Sequence, residues 1–304
     1  MSDSRLFQIG SAGAQELEGT SAVLEKSLQT LIERNLETFL GVRFLASEFV
    51  TSNGGRMDTL GIDENSCPVI IEYKRTRDEN VTSQGLFYLD WLMDHRGDFE
   101  ILVQRTLGAD AARAIEWSAP RLICIAGDFT RYDEHAVRQM GRNIELIRYK
   151  RFGDTLLMLD LLTAVSAPPK SSSAAVDSSG ATRTANYKTV GQYLADADER
   201  LTNLYSDLQA ELMPMGDDVQ EKTLRYYIAF KRIKNFACVE VRPQMGNLKL
   251  YLKVDPDEVE LEEGFTRDVR TVGHFGTGDL EVIIGSREDL ERAKPLIVKS
   301  YENS

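Results

Sequence analysis

Cysteine is scarce. Cys67, Cys124 and Cys238 are the whole complement of 304 residues, odd in number and scattered. They cannot build a disulfide framework, and no CxxC pair offers a zinc site. Each reads as a small buried hydrophobe. The three histidines, His95, His135 and His274, have no metal-ligand spacing among them. No apolar run approaches the roughly 20 residues that cross a bilayer. The opening MSDSRLFQIGSAG lacks the basic-then-apolar order of a secretory signal, so the expectation is a reduced, cytoplasmic protein. Neither G-x-x-x-x-G-K-S/T nor G-x-G-x-x-G occurs, which removes the usual NTP and dinucleotide sites. The glycine-rich Gly273–Gly278 follows no strand and reads as a loop. Positive charge is also in deficit, with a net −12. That argues against coating nucleic acid through bulk charge. An enzyme acting on nucleic acid remains open, since bound metal offsets active-site carboxylates and a local cationic track suffices.

One segment breaks the pattern. Residues 166–186, SAPPKSSSAAVDSSGATRTAN, are mostly Ser, Ala, Pro, Gly and Thr without an apolar period, and read as a flexible linker. It divides a domain at 1–165 from one at 187–304. The first domain opens with a helix near 21–40, where Leu24, Leu28, Leu31, Ile32, Leu36, Phe39 and Leu40 recur at helical spacing before Gly41. Strands follow at 42–51, 56–62 and 68–75, the first two joined by the tight turn Asn53-Gly54-Gly55. Then come a helix near 80–95, a strand at 121–126, a helix near 133–141 and a hairpin from 144–149 and 155–161. This order predicts an α/β (α+β) domain, a sheet flanked by helices. The second domain reads as a smaller α+β unit. It has a helix at 188–213, a helix or strand at 219–230, strands at 236–242, 247–254 and 280–285, and a helix at 287–301.

The chemistry concentrates in IIEYKR, residues 70–75. Side chains alternate along a strand, so Ile71 and Tyr73 face one way, Glu72 and Lys74 the other. A carboxylate and an ammonium on one face of an apolar strand are costly to bury unless paired or bound to metal. Asp58, on the preceding strand, comes close to Glu72 if the two strands pair antiparallel. Two carboxylates at a sheet edge suit a hard divalent cation, Mg2+ with Mn2+ as substitute. An E-x-K triplet alone is weak, and a surface ion pair is the plain alternative. On the following helix, Gln84, Tyr88, Trp91 and His95 share one face at i, i+4, i+7 and i+11. Gln84 and Tyr88 are candidates to orient Lys74 and contact DNA; His95 reads as structural. Arg131, Arg138 and Arg142 lie a turn or two apart and can track phosphates, or form a solvated face beside Asp133 and Glu134.

The run GGRMDTLGIDENSCPVIIEYKR, followed by SQGLFYLDWL, resembles the nuclease domain of the PD-(D/E)XK superfamily, most closely its NucS-like endonucleases. The resemblance covers about residues 20–160. It implies a mixed-sheet, restriction-endonuclease-like core. It also implies Asp58 and Glu72 as metal ligands, the Tyr73 carbonyl as a further ligand and Lys74 as the catalytic lysine. An acidic residue on the first helix completes the implied set; Glu25 is the choice, with Gln29 one turn on and Glu33 an alternative. Gln84 and Tyr88 are similar to the Q-x-x-x-Y motif of RecB-like members. NucS-like enzymes carry their extra domain before the nuclease, whereas here it follows, so mismatch specificity is not carried over.

The expectation is a Mg2+-dependent endonuclease acting on DNA, in repair or in defence against foreign DNA. The competing reading is a non-catalytic nucleic-acid- or protein-binding module that keeps the fold. A homodimer and a protein partner for the second domain are left open. In that domain LRYYIAFKRIK interleaves Tyr226, Tyr227 and Phe230 with Arg225, Lys231, Arg232 and Lys234, a pattern that suits stacking on bases or simply a core edged by solvated cations.

Overall fold

The computed structural model describes residues 5–11, 13–21, 25–74, 81–165 and 188–304. The chain divides into two compact units, Met1–Ser166 and Ala167–Ser304. The expected linker at 166–186 lies outside the described residues, as do residues 22–24 of the first expected helix and Arg75.

In the first unit, β1 (Leu6–Gly10) and β2 (Gly13–Leu17) form an exposed hairpin that precedes the two-residue β3 (Gly19–Thr20). The expected first helix is two: α1 (Glu25–Arg34) and α2 (Leu36–Leu40). The break falls at Asn35, whose side chain donates to the Leu31 carbonyl and competes with the helical ladder. Gly41 ends α2 at φ +62°, a conformation glycine takes without a Cβ penalty. Then come β4 (Val42–Val50), β5 (Arg56–Asp63) and β6 (Pro68–Lys74). They are followed by α3 (Val81–Asp94), α4 (Arg96–Leu107), α5 (Ala109–Arg113) and β7 (Arg121–Ala126). The unit closes with α6 (Arg131–Gln139), β8 (Ile144–Phe152) and β9 (Leu156–Val165).

Among the described residues these strands make one seven-stranded mixed sheet, in the order β3-β8-β7-β6-β5-β4 with β9 on β8. β6, β7 and β8 run parallel, and β4, β5 and β6 antiparallel. Pro68–Tyr73 and all of β7 are buried, the continuous apolar pattern of central strands covered on both faces. Tyr88, Leu89 and Leu92 of α3 and Phe99 and Val103 of α4 pack with Ile70, Leu122 and Cys124 on one face. α1 lies against β5 and β6. The far end of the sheet is tied by Arg121, whose guanidinium reaches Asp63 at 2.8 Å and Glu145 at 2.7 Å, all three side chains almost out of solvent.

The second unit is α+β as well. The helix expected at 188–213 is α7 (Val190–Asp196) and α8 (Glu199–Leu212), broken where Asp198 caps α8 through the Leu201 N–H. Segment 219–230 resolves into β10 (Gln220–Thr223) and the start of β11 (Ile228–Lys231). β12 (Asn235–Arg242), β13 (Asn247–Leu252), β14 (Thr266–Asp268), β15 (Leu280–Ile284) and α9 (Arg287–Glu302) complete it. The sheet is antiparallel in the order β10-β11-β12-β13-β15-β14. Leu201, Leu204 and Leu208 of α8 and Leu290, Ala293 and Ile297 of α9 fill its core. All three cysteines are free and buried. No helix among the described residues is long and apolar enough to cross a membrane.

Candidate active site

The site is built where the β5–β6 ladder gives way. Paired register runs from Ile62↔Pro68 to Thr59↔Ile71 and stops there. The next pair, Asp58 and Glu72, exchanges side-chain bonds in place of main-chain ones. The Asp58 N–H donates to Glu72 Oε1 at 3.3 Å, and the Tyr73 N–H donates to Asp58 Oδ2 at 3.0 Å. The Asp58 carbonyl accepts from Gln29 Nε2 of α1 at 2.7 Å. In an extended strand the N–H and C=O of one residue point to the same side. The Tyr73 carbonyl therefore faces β5 beyond the last paired register. β6 meanwhile stays paired with β7 through Lys74↔Ala126.

This leaves two carboxylates in a dry place. Glu72 is fully buried. Burial first, and the Asp58 charge second, push its pKa up to about 8. Burial raises Asp58 too, against the Tyr73 N–H and Lys74 that favour its charged form. Glu72 Oε2 is buried without a hydrogen-bond partner. Such an orphaned carboxylate oxygen beside a second carboxylate is what a cation would satisfy. A hard divalent ion takes one or two carboxylates, a carbonyl and waters, so Asp58, Glu72 and the Tyr73 carbonyl fit Mg2+. Among the described residues no three His, Cys, Asp or Glu side chains gather as a cage.

The first helix supplies supports. Glu25 lies 3.6 Å from Lys74 Nζ, which is 18% exposed. The Glu25 carboxylate, expected to complete the ligand set, is here the counter-charge of Lys74. Gln29, one turn on, is buried and holds the Asp58 carbonyl. Glu33 accepts from Gln29 at 2.9 Å and from Thr59 Oγ1 at 2.6 Å, and Thr59 Oγ1 lies 3.3 Å from the Tyr73 hydroxyl. Glu33 therefore braces the strands from behind.

The α3 stripe has a mechanical task. Gln84 Nε2 donates to Tyr88 Oη at 3.0 Å, and the Arg56 N–H donates to the same oxygen at 3.2 Å. Trp91 Nε1 donates to Ser52 Oγ at 3.0 Å, and the His95 ring stacks on Trp91. The stripe fastens the β4–β5 turn to α3. Tyr88 is 5% exposed, so its expected contact with nucleic acid is corrected; it presents no face for stacking. Gln84, expected in the catalytic set, is half-buried and spends its amide on Tyr88.

The three arginines do not form one track. Arg131 sits over Tyr132, just after the edge where β7 ends beside Lys74. Arg138 pairs with Glu134, and Arg142 with Asp90 of α3, further along the helix. In the second unit Tyr227, Phe230 and Lys231 are buried. Arg232 pairs with Asp218 and lies over Tyr301. Tyr226 stacks on Phe275. Two of the three aromatics and Lys231 are therefore core, the arrangement of the second of the two readings, with Arg225 exposed at its edge. Sequence reasoning missed Thr59 and Glu48; neither residue type at its position breaks a pattern, and only the register shows what each faces.

Residues 190–304 match the family described as a domain of unknown function, DUF5655. An uncharacterized protein of Haemophilus influenzae is 28% identical over 306 residues, covering 98% of this chain and 100% of that one. Among solved structures, the comparison brings up a repair endonuclease from Pyrococcus abyssi. It is 20% identical over 41% of this chain and 47% of that one, with a TM-score of 0.29. EndoMS in a complex with dsDNA is 22% identical over 44% of this chain and 47% of that one, with a TM-score of 0.30. The chain thus spans about half the length of these two, at 47% each.

Proposed function

We propose that this chain is a divalent-cation-dependent nuclease that hydrolyses phosphodiester bonds, an endonuclease acting on DNA in repair or in defence against foreign DNA. One observation carries the reading: the β5–β6 ladder opens at Asp58 and Glu72, setting a half-buried and a fully buried carboxylate beside Lys74 with Glu72 Oε2 unsatisfied. A merely structural pair would be expected to close its hydrogen bonds.

Asp58, Glu72 and the Tyr73 carbonyl would hold the cation. When bound, Mg2+ supplies Lewis-acid polarisation of the phosphodiester and acidifies water. The Tyr73 N–H fixes the Asp58 carboxylate, and Gln29 fixes the Asp58 main chain. Lys74 faces the phosphate, holds the attacking water and stabilises charge that develops on the phosphoryl oxygens. Glu25 keeps Lys74 oriented until substrate arrives.

The test is a panel of labelled single- and double-stranded DNA and RNA, incubated with the full chain in Mg2+, in Mn2+ and in chelator. Cleavage of DNA that requires the cation supports the reading. Cation-independent binding without cleavage would favour a non-catalytic binding module.

A further inference from the structure

Side chains on a regular strand alternate, so residues i and i+2 share a face. β4 breaks this rule at Glu48. Ser47 Oγ lies 3.2 Å from Gln29 Nε2 of α1, whereas Phe49 packs on Trp91 of α3. β5 breaks it opposite. Met57 belongs to the α3-side core, whereas Thr59 bonds Glu33 of α1. Register flanks the break on both sides, Ser47↔Thr59 and Phe49↔Met57, which sets Glu48 opposite Asp58. Glu48 has φ +53°. A non-glycine residue in the left-handed region inside a strand is strained and persists only where its surroundings hold it.

What holds it is charge. Glu48 Oε1 accepts from Lys26 Nζ at 2.7 Å, and Oε2 meets Arg56 Nε at 2.8 Å. Both cations are 64% exposed on their side chains. Arg56 stands two residues before Asp58. Lys26 follows Glu25, and its Nζ lies 3.2 Å from Gln29 Oε1 of the same amide that holds the Asp58 carbonyl. The three charges sum to +1 at an edge otherwise lined by carboxylates.

The geometry points to Lys26 and Arg56, held by Glu48, as a phosphate clamp for the substrate backbone beside the Asp58–Glu72 pair. The inference rests on the nuclease reading and names a part of its substrate contact. Glu48 is a positioning residue: it turns the strand and fixes two flexible cations on one carboxylate. Both side chains are 64% exposed while they pair with Glu48, so a backbone phosphate reaches them without displacing core groups.

The experiment uses the full chain and a fluorescent DNA duplex. Binding is followed in Ca2+ buffer as salt is raised, and cleavage in Mn2+. Lys26→Ala and Arg56→Ala should each lower the slope of log affinity against log salt by about 0.9 and raise the half-saturating DNA concentration. Lys26→Arg and Arg56→Lys should keep the slope. Glu48→Gln should raise half-saturation while keeping the slope, since both cations remain. Melting temperatures should stay near wild type in the four Lys26 and Arg56 variants, whose side chains are exposed. Wild-type cleavage with slope and half-saturation unmoved in both alanine variants overturns the clamp alone. A wild-type chain that neither binds nor cleaves any nucleic acid overturns the nuclease reading and the clamp with it.

Discussion

The Asp58 amide donates to the Glu72 carboxylate at 3.3 Å, at the register where a strand would ordinarily offer a carbonyl. A side chain has replaced the main chain as hydrogen-bond partner. The two residues are thereby held together without a closed ladder between them, and their substitution bears on the cation first. Glu72→Gln and Asp58→Asn should each abolish cleavage and weaken Mn2+ binding measured by calorimetry. Unchanged Mn2+ affinity in both would place the cation elsewhere.

Lys74 should separate from the carboxylates in such measurements. Lys74→Ala is expected to cut cleavage by on the order of 10²-fold or more, the scale of a lost transition-state donor. Mn2+ affinity should hold or rise, because a nearby positive charge is gone. Turnover near wild type would remove Lys74 from the chemistry.

The raised pKa of Glu72 links stability to pH. Its folded value of about 8 exceeds the ordinary 4.5, so the folded chain binds the proton more tightly than the unfolded one. The resulting stabilisation is full below the ordinary value and is lost as pH rises through about 8. In chelator, Glu72→Gln should therefore melt higher than wild type at pH near 9, by on the order of several degrees. The gap should close towards pH 5. A gap that widens as pH falls would contradict the burial described for Glu72.

Tyr88 and Gln84 should differ in kind. Tyr88→Phe strips a buried oxygen that takes two donors, Gln84 Nε2 and the Arg56 N–H. A loss of about 1–3 kcal/mol is expected in denaturant titration. Gln84→Ala, at a half-buried site, should change stability less and cleavage more. If it melts well below wild type with full specific activity, Gln84 is purely a fastener.

Arg121 carries the largest structural stake. Arg121→Met would leave Asp63 and Glu145 buried without their cation, at about 3–5 kcal/mol. Calorimetric melting checks this; a wild-type transition would show that water reaches the pair.

Much of the core was legible because burial writes itself into composition. The apolar runs of β6 and β7 read as central strands, and alternation alone put Glu72 and Lys74 on one face. The Asn53-Gly54-Gly55 turn fixed the β4–β5 pairing. What stayed hidden depends on partners far along the chain. Arg121 looks like any strand-initiating cation until Asp63 and Glu145 are brought beside it. The open ladder at Asp58 and the inverted alternation at Glu48 leave no periodic trace. The β1–β2 hairpin is exposed throughout apart from its ends, so no apolar pattern announces it. α4 buries only Phe99 and Val103, too short a stripe to read. Asp198 is a helix-cap residue type, yet the spacing across 188–213 reads as one continuous helix.

β6 is fastened at one end and parted at the other. Near Val69, Arg121 clasps three neighbouring strands at once; by Glu72 the partner on one side has let go. A seven-residue strand thus carries a gradient along its length. Position on that gradient sorts substitutions: those near Pro68 and Val69 should alter how long the molecule survives, and those near Glu72 and Lys74 what it does while it lasts. Selection for endurance and selection for turnover would then act on opposite ends of the same strand, with little need to trade one against the other.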